Sequence, residues 1–95
     1  MEMREVVSGN IAAVGFDETR REVEDAFGNL DVKFKSGSTY RYKEVPQIVY
    51  ELFLSAESLG KFFAAEIKPI YKECFKLVKV VDPVTNVETI TEVRV

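Results

Sequence analysis

Leu30-Asp31-Val32-Lys33-Phe34-Lys35-Ser36-Gly37-Ser38-Thr39-Tyr40-Arg41-Tyr42, followed by Val45-Pro46 and Val49-Tyr50, is the stretch that decides how this chain folds. Apolar and charged residues alternate with a period of two, the spacing of a strand with one dry face. Gly37 interrupts the alternation, and a Tyr-x-Tyr strand resumes after it. A two-residue loop, Ser36-Gly37, would place Phe34 opposite Thr39 and turn both tyrosines away from the aliphatic residues. A three-residue loop, Lys35-Ser36-Gly37, pairs Phe34 with Ser38, Val32 with Tyr40 and Leu30 with Tyr42. Glycine at the third loop position suits a type I turn closed by a G1 bulge, because that residue takes a positive φ. The three-residue loop also gathers all five large apolar side chains on one face. It is the register predicted here, and a one-residue slip would flip the whole set.

This register has a consequence for function. The outward face carries Asp31, Lys33, Lys35, Thr39, Arg41 and Lys43, four cations against one acid. The cations suit phosphate, and Arg41 is the best single candidate because its planar fork matches phosphate oxygens. A solvated sheet face is the plainer reading. Tyr40 and Tyr42 are core aromatics in this register; in the other they would be free to stack on unpaired bases.

Upstream, Ile11-Ala12-Ala13-Val14-Gly15-Phe16 reads as the first strand. Asp17 is a candidate N-cap, and residues 18–27 are predicted as a helix with Gly28-Asn29 as its stop. Val23, Ala26 and Phe27 supply its apolar stripe. Downstream, Pro46 suits the first position of a helix, where a missing N–H costs nothing. Ile48, Val49, Leu52 and Phe53 form the expected buried stripe. Ser58 can cap a second helix over residues 59–77, whose apolar face runs from Leu59 through Phe63 and Cys74 to Val78. Lys61, Lys68, Lys72, Lys76 and Lys79 hold the opposite face, a secondary basic surface. Pro69 kinks this helix or breaks it at Lys68. The tail, residues 80–95, joins β-branched residues to Asp82-Pro83 and Asn86 turn chemistry and reads as a strand pair.

The whole is one domain of α+β class: a small antiparallel β-sheet with a hairpin packed against two or three α-helices, plus a C-terminal β-rich segment. Its 95 residues are 46% hydrophobic and 31% charged, ordinary for a soluble domain. No apolar run approaches the ~20 residues of a membrane helix, and the N-terminus has no signal-peptide h-region. A single cysteine, Cys74, excludes an internal disulfide and suits a reducing, cytoplasmic setting. The net charge of −3 argues against nucleic-acid binding by bulk charge, although a local basic surface fits an acidic protein. The absence of histidine removes triad catalysis and most zinc sites. No catalytic residue, metal site or cofactor is expected, and Cys74 falls on an apolar face as an inert thiol.

The order and spacing of several short motifs resemble those of the KTSC domain across residues 8–71. The matching positions are Asn10-Ile11, Val14-Gly15-Phe16-Asp17, Phe34, Gly37, Tyr40-Arg41-Tyr42, Val45-Pro46, Val49-Tyr50, Ser58-Leu59-Gly60, Phe62-Phe63 and Ile67. The family's first two strands join by a tighter turn, so the helix over residues 18–27 departs from its pattern. So does Ala64, which stands where the family often has Asn. The resemblance implies a small module, found alone or at the C-terminus of some lysyl-tRNA synthetases, and by that association a contact with RNA. The leading expectation is therefore a noncatalytic RNA-binding module that uses Lys33, Lys35, Thr39, Arg41 and Lys43. The alternative is a protein-interaction module, of a kind carried by phages or mobile elements, that uses the C-terminal β-segment to dock a partner or form a homodimer.

Overall fold

The computed structural model describes residues 3–95. Six antiparallel strands lie in the order in which the chain makes them: β1 (Arg4–Glu5), β2 (Ile11–Arg21), β3 (Ala26–Phe34), β4 (Thr39–Pro46), β5 (Cys74–Val81) and β6 (Glu88–Arg94). Between β4 and β5 come two short helices, α1 (Gln47–Ser55) and α2 (Leu59–Phe62), and α2 runs on into a π-helical segment, Phe63–Ile67. The α+β class holds, with more strand and less helix than the sequence suggests.

The central hairpin takes the predicted register. Leu30 faces Tyr42 and Val32 faces Tyr40. The turn closes with the Phe34 N–H donating to the Ser38 carbonyl at 2.9 Å, and Gly37 has φ +102°. α1 and α2 cover the inner face of the sheet over β2, β3 and β4. Ile11, Val14, Leu30, Val32, Val45, Phe53 and Ile67 are fully excluded from solvent there. Phe63 joins the helical layer to the hairpin, with its ring edge-on to Phe34 at 5.3 Å and to Tyr42 at 5.6 Å. A nine-residue helix such as α1 does not hold in isolation. Phe53 anchors it, and Tyr50 stacks on Phe16 at 5.3 Å. Its buried stripe is thus Val49, Tyr50 and Phe53, while Ile48 and Leu52 lie exposed, contrary to the expected set. Pro46 ends β4 and serves as the N-cap of α1, one position before the expected one.

The helix expected over residues 18–27 is instead the β2–β3 hairpin, whose turn is closed by reciprocal hydrogen bonds between Glu22 and Asp25. Val23, counted toward an apolar stripe, sits fully exposed at its tip. Gly28 is not a helix stop. A Cβ there would lie 2.1 Å from the Asp17 carbonyl oxygen, so the glycine allows two strands to approach. Here the ladder partners, distant in sequence, outweigh local propensity.

The helix expected over residues 59–77 ends early. Ser58 does cap it, accepting from the Lys61 N–H at 3.3 Å. The Lys68 N–H reaches back five residues to the Phe63 carbonyl, and the chain turns away at residues 68–70, where Pro69 brings no N–H. Residues 74–81, which fit the helical phase, form β5 along β4, in the register Arg41 to Phe75 and Thr39 to Leu77. The lysine stripe therefore does not exist as one surface. Lys61 and Lys68 stay with the helical segment and Lys72 lies in the connection. Lys76 and Lys79 lie on β5, on the inner and outer faces respectively, since strand residues alternate faces and Lys79 lines the outer-face depression. The tail is a strand pair, as predicted, but its first strand begins at Cys74.

Candidate functional site

Two adjacent surfaces stand out, the outer face of the sheet and its free edge at β6. On the outer face the cations of the hairpin are tied to carboxylates. Arg41 Nε and Nη2 donate to the two oxygens of Asp31 at 2.8 and 3.0 Å. Asp31 is only 3% exposed. Arg41 Nη1 reaches Glu92 at 3.1 Å, and Lys43 Nζ reaches the other Glu92 oxygen at 2.9 Å. The cross-strand pairing of Asp31 with Arg41 follows from the hairpin register, and Glu92 arrives on β6, opposite Leu77. The hydrogen bonds that Arg41 donates to Asp31, and then the charges of Asp31 and Glu92, hold the guanidinium firmly protonated. Those from Lys43 and then Arg41 hold the Glu92 carboxyl below its ordinary range.

Phe75 lies beside this cluster between two cations, with Lys43 Nζ at 4.6 Å and the Arg94 guanidinium at 4.8 Å from its ring. Lys79 pairs with Glu88 at 2.9 Å. Met3, Lys33, Gly37, Thr39, Leu77, Lys79 and Ile90 complete the walls of an open depression of about 590 Å³. Of the predicted phosphate ligands, the structure brings Lys33, Thr39, Arg41 and Lys43 to this face and engages Arg41 and Lys43. Lys33 and Lys35 are exposed and form no ion pair with another described residue.

Tyr40 and Tyr42 point inward, as the register requires. Tyr42 is 5% exposed, and burial raises its phenol above the ordinary range. Tyr40 is half-buried, edge-on to Phe34 at 5.8 Å. Cys74 sits beside Tyr42, and burial pushes its thiol up, so it is a poor nucleophile. Among the described residues no three His, Cys, Asp or Glu side chains come together as a metal group, and no helix is long and apolar enough to cross a membrane.

The sheet's two edges differ. β1 is two residues long, too short to template another strand. β6 has seven residues, and among the described residues no strand pairs with its far side. The Val95 N–H donates to the Cys74 carbonyl and the Asp82 N–H to the Val87 carbonyl. Alternation between these fixed points leaves the N–H and C=O groups of Glu88, Ile90, Glu92 and Arg94 aimed outward from β6. The charges on this strand do not guard it. Glu92, Glu88 and Arg94 fold back onto Lys43, Lys79 and Phe75. Around the edge, Val80, Val87, Ile90, Val93 and Val95 are all exposed. The edge lies in the C-terminal β-segment that the sequence offers for docking or homodimerisation, whereas the part of Glu92 in the ion-pair cluster is what the sequence reading missed. No local signal marks Glu92, because its partners are some fifty residues away in the chain.

The KTSC domain family model matches residues 7–71. The chain belongs to the KTSC domain family. A protein of Tsukamurella paurometabola is 36% identical over 70 residues, which cover 74% of this chain and 94% of the relative. An uncharacterized protein of Stutzerimonas stutzeri is 36% identical over 62 residues, 65% of this chain and 78% of its own. The crystal structure of a KTSC domain protein from Yersinia pestis is similar with a TM-score of 0.63 and 32% identity, covering 77% of this chain and 92% of that one. The KTSC match ends before β5. The β5–β6 hairpin thus lies outside the matched residues, and it carries both Glu92 and the free edge.

Proposed function

We propose that this KTSC domain is a noncatalytic protein-interaction module that takes up an extended segment of another polypeptide as an added strand on β6. The observation that carries this reading is the edge itself: outward-facing backbone groups on a seven-residue strand, flanked by exposed Ile90, Val93 and Val95, with the strand's charges folded away. Main-chain hydrogen bonds would supply affinity, and alternate side chains specificity. The RNA reading is less well supported. Arg41 and Lys43 would have to leave Asp31 and Glu92 to meet phosphate, which would strand a buried carboxylate.

Ile90→Pro tests the reading. The Ile90 N–H points outward, so proline there removes a donor from the edge and none from the β5–β6 ladder. Random peptides displayed on phage are selected against the wild type and screened against Ile90→Pro. Peptides retained by the first and lost by the second are expected. If every selected peptide binds both proteins equally, the edge is not the receptor.

A further inference from the structure

We infer that the added strand is β6 of a second copy of this chain, paired antiparallel about a two-fold axis through Thr91. The inference rests on the strand-addition reading and narrows it to one occupant. The outward backbone groups belong to Glu88, Ile90, Glu92 and Arg94, so these residues must hydrogen-bond among themselves across the axis. That condition leaves few registers. An axis at Ile90 sets Glu88 against Glu92 of the other copy, twice. An axis at Glu92 sets that residue against itself. An axis at Thr89 or Val93 pairs only a fragment of the strand. With the axis at Thr91 the whole strand is used, and Glu88 lies opposite Arg94 at both ends. Opposite charges in directly facing positions stabilise an antiparallel pair, and like charges there oppose it.

The same register sets Ile90 against Glu92 on the outer face and brings two of the exposed apolar residues together on the inner one. On the inner face Thr91 meets Thr91, and Thr89 meets Val93. One step further, the exposed Val87 meets the exposed Val95. Thr91 meets its copy once, on the axis, and the Thr89–Val93 and Val87–Val95 pairs each occur twice, as an isologous interface requires. Both copies keep the same face of the sheet turned the same way, so the outer depressions adjoin. α1 packs over β2, β3 and β4, away from the β6 edge, while Phe63 and Lys68 of the following segment reach as far as Cys74 and Val95.

The test is a charge-swap cycle followed by sedimentation velocity over a concentration series, with circular dichroism to confirm that each variant is folded. The wild type is expected to be a dimer. Glu88→Arg and Arg94→Glu, each alone, place like charges opposite one another and are expected to weaken dimerisation at least tenfold. The double variant restores opposite signs and is expected to recover most of that loss, which no other register predicts. A dimer on which the single and double changes act additively would overturn the Thr91 register. A wild type that stays monomeric at its solubility limit, while edge-dependent peptides still bind, would overturn self-association and leave strand addition standing. A dimer that persists in Ile90→Pro would place the contact elsewhere and overturn self-association through β6, and the peptide screen decides strand addition separately.

Discussion

Arg41 is the residue on which the phosphate-binding and structural readings of the outer face part most sharply, and its removal has a calculable cost. In Arg41→Ala the Asp31 carboxylate, 3% exposed, loses both hydrogen bonds of the guanidinium fork, at 2.8 and 3.0 Å. Stranding one member of a fully buried ion pair costs about 3–5 kcal/mol. The Arg41 side chain keeps 24% of its surface in solvent, so water enters once it is cut back, and the expected loss is about 2–3 kcal/mol. For a domain of this size that corresponds to a fall in Tm of ~10–20 °C. Thermal and urea melts of the wild type, Arg41→Ala, Asp31→Ala and the double variant measure it. The double variant should be less destabilised than the two singles combined, with a coupling of about 1–2 kcal/mol. Lys33→Ala and Lys35→Ala, both exposed, should each stay within about 0.5 kcal/mol of the wild type. An Arg41→Ala protein that melts with the wild type, or strictly additive effects in the cycle, would show that the ion pair does not hold the face together.

Tyr42→Ala should cost about 3 kcal/mol or more in urea denaturation, because its ring is buried against Phe63; half-buried Tyr40→Ala should cost clearly less, and equal costs would contradict the packing described. Gly28→Ala should destabilise by about 3 kcal/mol, at the upper end of the overpacking scale, because its Cβ would meet backbone rather than a movable side chain; an unchanged urea midpoint would show that β2 and β3 can part cheaply. Glu92 titrates below its ordinary value when folded, so the stability it contributes is fully present above about pH 4.5 and is lost as pH falls through the folded value. Tm should hold steady from neutral pH down to that point and then fall, and Glu92→Gln should fall less steeply; parallel curves would refute the linkage.

The hairpin was legible because two local facts agreed: a glycine where the turn needs positive φ, and an alternation that only one register resolves. Asp31 and Arg41 were legible with it, since the same register sets them face to face, although the depth of Asp31 was not. Residues 18–27 misled because an Asp-capped, acid-rich segment ending in glycine is also what a hairpin with a close strand approach looks like. Residues 74–78 were ambiguous for a related reason. Cys74, Phe75 and Val78 satisfy a helical period, and the open edge of β4, far back in the chain, makes them a strand. Glu92 could be placed only after β5 had been. Its role depends on two strand pairings in succession, and no spacing within the tail encodes them.

The meander order of the sheet also bears on the moment of synthesis. Each strand pairs with its neighbour in the chain, so the structure from β1 to β4 and its helical cover can assemble as residues 3–73 emerge from the ribosome. Until residues 74–95 follow, β4 presents Thr39, Tyr40, Arg41 and Tyr42 as an open edge, and Arg41 has Asp31 but not yet Glu92. In that interval β4 would be the free edge of the sheet, with unpaired N–H and C=O groups. Completion of the last hairpin covers β4 and moves the open edge of the sheet outward to β6.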